Sequence, residues 1–108
     1  MKTEIVSLAV TIAAAAALSR FRLVDFSGNP AAAGERALGV PVTSFSTGEQ
    51  AGVAVRGELL VEAGAAIAVG AQVESDASAR AITLASGVPF GVARDAAAAA
   101  GDIIRVLV

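Results

Sequence analysis

A chain of 108 residues with eight basic and ten acidic side chains has room for one hydrophobic core and not for two ordinary ones. Its formal net charge of -2 is spread without a cationic stripe to neutralise phosphates, which argues against nucleic-acid binding. The absence of Cys removes any disulfide framework or thiolate metal site and fits assembly in a cytosol.

The composition is 56% hydrophobic, against roughly 45–50% in ordinary soluble domains. Only four residues are aromatic, while alanine supplies 27 and valine 14. So small a core cannot hide that much apolar surface, which predicts an oligomer, a bound partner, or both.

From Ile5 to Leu18 no residue is charged. A spanning helix needs about 20 apolar residues, and this run stops at Arg20 and Arg22, so no membrane span is expected. Lys2, the apolar run and Ala-x-Ala within Ala13 to Ala17 have the order of a secretion signal, with Glu4 against it. The alternative is an extended N-terminal arm over residues 1–18, because Ile5, Val6, Val10, Thr11 and Ile12 are β-branched.

The alternation in residues 20–26 predicts a strand with Phe21 and Leu23 on one face, broken by Ser27, Gly28, Asn29 and Pro30. Further strands are predicted at 38–43, 52–61, 72–74, 80–84, 90–94 and 102–108, with Gly57 marking a bulge or bend. The alanine runs at 13–17 and 96–100 are too short for stable helices and predict single turns at most, the second capped by Asp95 and stopped by Gly101.

One pattern occurs twice. Leu38, Gly39, Val40, Gly48, Glu49, Val53 and Val55 recur as Phe90, Gly91, Val92, Gly101, Asp102, Val106 and Val108, at an offset of 52–53 residues. This describes two related hairpins, 38–55 and 90–108, within a single β domain at 19–108. The predicted fold class is all-β: a small barrel or sandwich of short antiparallel strands carrying an extended arm.

Chemistry is nearly absent. Without His, Cys or Tyr there is no common general base, thiol nucleophile or phenolic acid. Lys2 is the only lysine, so neither a Gly-x-x-x-x-Gly-Lys phosphate loop nor an internal lysine for a lipoyl or biotin group exists, and no cofactor is expected. Glu74 and Asp76 could share a hard cation, but the spacing reads as a solvated turn. Glu58 and Glu62 could form an acid and base pair, but nothing places them in a pocket. Seven arginines to one lysine favour carboxylate contacts between chains, or else surface structure.

The apolar N-terminal segment, the stretch ALGVPVTSFSTGEQAGVAVRGELLVEAGAAIAVGAQVESDASARAIT and the closing PFGVARDAAAAAGDIIRVLV together resemble the small capsid cement, or head decoration, proteins of tailed bacteriophages. That family was first classified as a domain of unknown function. The resemblance covers nearly the whole chain, Gly39 to Ser75 and Gly91 to Val108 most directly. It implies a β domain, a homotrimer, that stabilises the outer surface of the virion by binding between major capsid protein subunits after synthesis in the host bacterial cytoplasm. No catalytic or metal residues carry over, so no enzyme is expected.

The arm residues Ile5, Val6, Leu8, Val10 and Ile12, with Arg20 and Arg22, are the candidate capsid or subunit contacts, through strand addition to a neighbouring sheet. The competing reading is a secreted or periplasmic β-rich binding module, and a carboxylate enzyme is the weaker rival.

Overall fold

The computed structural model describes residues 3–108, so Met1 and Lys2 of the expected arm lie outside the described residues. Its longest strand, β4 (Gln50–Glu62), organises the others: β1 (Ile5–Ala13), β2 (Val24–Asp25), β3 (Ala37–Pro41), β5 (Gln72–Ser75), β6 (Ala81–Thr83), β7 (Gly91–Ala93) and β8 (Ile103–Leu107). All pairings between these strands are antiparallel and form one curled half-barrel sheet, all-β, with no helix among the described residues.

Val53 and Ala54 register with Val10 and Ala9 of β1, and also with Pro41 and Val40 of β3. Further along, Glu58 registers with both Ile5 and Leu107 of β8. Since a strand has two edges, β1 takes one edge of β4, and β3 and β8 share the other in succession. The handover falls at Gly57, whose φ of +120° only glycine adopts readily, and where a Cβ would strike the Ile5 carbonyl. Its N–H donates to the Val108 carbonyl at 3.2 Å, and its own carbonyl accepts from Val108 at 3.0 Å.

The halves of the chain repeat each other in backbone detail. Val40 pairs with Ala54 and Pro41 with Val53; 52–53 residues later, Val92 pairs with Leu107 and Ala93 with Val106. The N-terminal part of β4 lies on β1 (Ala9–Ala54, Val10–Val53) as β8 lies on the C-terminal part of β4 (Glu58–Leu107, Leu59–Val106). β4 is therefore the last strand of one half and the first of the next. Asp25 Oδ1 accepts from Ser27 and Asn29, and Asp76 Oδ1 from Ser78 and Arg80, closing matching turns.

Each half has a core. The first gathers Ala14, Leu18, Val24, Ala51, Val53 and Val55, with Ile12, Leu38 and Phe45 against it. The matching residues Ala63, Ile67, Val73, Ile104 and Val106 belong to the larger core, which also takes in Leu23, Val40 and Ala54 from the first half. Burying each fully enclosed Leu, Ile or Val contributes about 1.5–3 kcal/mol, and more of these side chains lie in the larger core, among them Leu23, Val40, Leu59, Val61, Val73, Ile104 and Val106.

The strand expected at 20–26 and the cap expected at Asp95 are corrected. Residues 20–26 do not form a full strand: Arg20 and Phe21 lie in a turn, Phe21 takes φ +72°, Arg22 N–H bonds back to Ser19, and only Val24 and Asp25 pair. The corresponding position in the second half is Gly70, at φ +84°, so a shared turn overrides the alternating pattern. Neither alanine run is helical, because its amides bond to distant partners: Ala14 to Glu49, Ala15 to Gly28, Ala97 to Ile67. Asp95 caps no helix; its carboxylate accepts the Arg105 backbone N–H at 2.9 Å and the guanidinium at 2.9 and 2.8 Å. That hydrogen bond raises the Arg105 pKa above the ordinary arginine value.

Candidate interaction surface

Acidic side chains that could serve chemistry are instead used to hold loops. Glu74, 6% exposed, accepts N–H groups from Gly87 at 2.7 Å and Ala85 at 3.3 Å. Asp76 closes its own turn, so these two carboxylates point to separate backbone partners and do not converge. Glu62 receives Arg22 at 3.2 Å and Arg80 at 3.4 Å, and Glu58 meets Arg94 at 3.0 Å. No group of three or more potential metal ligands occurs among the described residues. Among them, too, no helix is long and apolar enough to cross a membrane.

Part of the surface is apolar. Of nine large exposed hydrophobic residues among the described ones, four lie in β1: Ile5 at 59%, Leu8 at 51%, Val6 at 40% and Val10 at 37%. Ile12 turns inward against the smaller core. β1 pairs with β4 alone, so its outer edge leaves main-chain donors and acceptors free among the described residues. A long, apolar, uncovered edge strand is a template for pairing with another chain.

Arg20 is exposed and stacks on the Phe21 ring at 4.7 Å, its backbone N–H on Ser44. Arg22 is engaged within the chain, by Glu62 and the Ser78 carbonyl. Arg20 and Arg22 thus lie in the turn after the alanine run and not on β1.

Sequence reasoning missed a groove of about 310 Å³ at the seam between halves, lined by Leu8, Phe26, Leu38, Val55 and Phe90, with Arg36 and Arg56 among its walls. No Asp or Glu side chain lines it, and neither arginine has a carboxylate partner among the described residues. The available signal was that two of only four phenylalanines follow or precede turn residues, Phe26 before Ser27–Gly28 and Phe90 after Pro89.

The class of protein is an all-β half-barrel that presents an apolar edge strand, β1. The chain belongs to the phage cement protein family, whose model matches residues 1–108. It is a structural protein of the phage virion, associated with the capsid, in a family not known for enzymes. Among solved structures it is similar to the N base of the head fiber gp8.5 of bacteriophage phi29. The TM-score is 0.77 at 21% identity, covering 94% of this chain and 92% of that one. At that identity the likeness shows the fold. No curated protein matches the sequence.

Proposed function

We propose that this protein is a cement protein that sits, as a homotrimer, on the outer surface of a tailed-phage capsid and ties neighbouring major capsid protein subunits together. The observation that carries the reading is β1, an exposed apolar strand with a free edge, in a chain that belongs to the cement family. The name of its structural neighbour, a head fiber base, supports a place on the head.

Strand addition along β1, which carries Ile5, Val6, Leu8, Val10 and Ile12, contributes main-chain hydrogen bonds without side-chain chemistry, and the exposed Arg20 in the following turn adds a guanidinium. Arg36 and Arg56 at the seam offer guanidinium groups to carboxylates of the capsid protein. A specific contact buries about 1,200–2,000 Å² in total. Three such contacts on one trimer convert modest affinities into avidity. Residues 19–108 supply most of the body, and the segment 1–18, whose β1 is laid along β4 and whose Ala14 and Leu18 enter the smaller core, supplies the contact strand.

Cosedimentation of the purified chain with shells assembled from its major capsid protein tests this. Saturable binding that raises the temperature of shell disruption is the expected result, and failure to bind either procapsids or expanded shells overturns the reading.

A further inference from the structure

The two halves of the chain share pairing register but not exposure. In the first half the pair Val40–Ala54 is 1% and 0% exposed, because the second half packs over it. Its counterpart, Val92–Leu107, is 37% and 44% exposed. The mismatch is reciprocal. Leu59, in the first strand of the second half, is 0% exposed, within the core that contains Val40 and Ala54. Val10, its counterpart in β1 by the shared pairing to Val53 and Val106, is 37% exposed.

Each molecule thus carries one completed interface, between its own halves, and the two unmatched faces of that same interface at opposite ends of the repeat. We propose that a second copy of this chain docks there head to tail, Val10 of one copy entering a shared core with Val92 and Leu107 of the next as Leu59 shares one core with Val40 and Ala54 within one chain. The occupant is fixed by continuity: the surface that fits the Val92–Leu107 face already exists, in register, on every copy. Such an interface is heterologous, using different faces of the two partners, and closes into a ring or runs on as a filament. The inference rests on the proposed homotrimer only for its stoichiometry, a ring of three chains and six halves.

The chain has no Cys, so engineered thiols report cleanly. Full-length protein carrying both Val10→Cys and Val92→Cys, treated with a short bis-maleimide, is expected to give covalent dimers and trimers on a denaturing gel. Either cysteine alone should leave the chain at monomer mass. Cross-linking by a single-cysteine chain reveals an isologous contact and overturns the proposal, as does a double-cysteine chain that stays monomeric.

Sedimentation supplies a second readout. Val10→Asp and Leu107→Asp each place a charge on one face, and each is expected to shift the protein from trimer to monomer. A mixture of the two should form a dimer through the intact faces, whereas variants that remain trimeric, or a mixture that remains monomeric, refute the arrangement. Because shell binding is measured separately, loss of this interface and failure of the cement reading are distinguishable.

Discussion

Gly39 and Gly91 hold equivalent places in the two halves. A Cβ on Gly39 would collide with the Ala54 carbonyl, and one on Gly91 with the Leu107 carbonyl, each also within 2.9 Å of a valine methyl, that of Val53 or Val106. Both glycines therefore serve the close approach of paired strands, not a left-handed turn. Gly39→Ala and Gly91→Ala should each cost about 1–3 kcal/mol by overpacking against backbone that cannot yield. Gly48 is the contrast: φ is +88° and nothing lies within 4 Å of its Cβ direction. Gly48→Asn should be tolerated better than Gly48→Ala, since Asn enters the left-handed region more readily. Urea unfolding of the four variants decides it, and an unperturbed Gly39→Ala midpoint would contradict the steric account.

Glu74 fastens the segment between β6 and β7 through the amides of Ala85 and Gly87, and Val88 N–H adds a bond to Gly34 at 3.1 Å. Removing a buried acceptor strands its donors, at about 1–3 kcal/mol. Glu74→Ala should therefore speed amide exchange of Gly87 by roughly tenfold or more, 1.4 kcal/mol being one decade, while the amides of β4 change little. Unchanged protection at Gly87 would mean that the carboxylate is not the fastening.

Glu62 carries two arginines at once, Arg22 from the first half and Arg80 from the second, with side chains a fifth to a third exposed. Glu62→Gln keeps the shape and removes the charge that joins them. The expected loss is about 1 kcal/mol at low salt, given how little partly exposed ion pairs contribute. It should shrink toward zero in 1 M NaCl, where the screening length falls to about 3 Å. A loss independent of salt would assign Glu62 a packing role instead.

The strands beyond residue 37 were legible because their signals are local: alternating β-branched residues bounded by Gly and Asp, as at 72–74 against Gln72–Ser75 and 102–108 against Ile103–Leu107. The turn at Phe21 was not, because its left-handed backbone is marked by glycine in one half only, at Gly70. Alanine is equally silent. Ala14 and Ala63 sit at matching positions in the two cores, yet a small side chain gives no pattern from which to read burial. Of the candidate surface, β1 was visible as an uncharged β-branched run, while the groove depends on residues from both halves, such as Leu38 and Phe90, that meet only after folding.

The last prediction separates adhesion from folding at β1. Ile5 and Leu8 are 59% and 51% exposed and register with Glu58 and Arg56, so their side chains contribute little to the core while their backbone completes the ladder with β4. Exposed substitutions away from caps and cores change stability within about 0.5 kcal/mol. Ile5→Asp with Leu8→Asp should therefore leave the melting temperature within a few degrees of the parent. The same protein should lose shell binding by at least a hundredfold, because a desolvated charge without a partner is costly at an apolar contact. Deleting residues 2–12 should also abolish binding, but with a clear loss of stability, since it uncovers the β4 edge and removes Ile12 from the smaller core. Normal decoration of shells by the doubly charged variant would show that β1 only covers β4, and the adhesive surface would have to be sought elsewhere on the molecule.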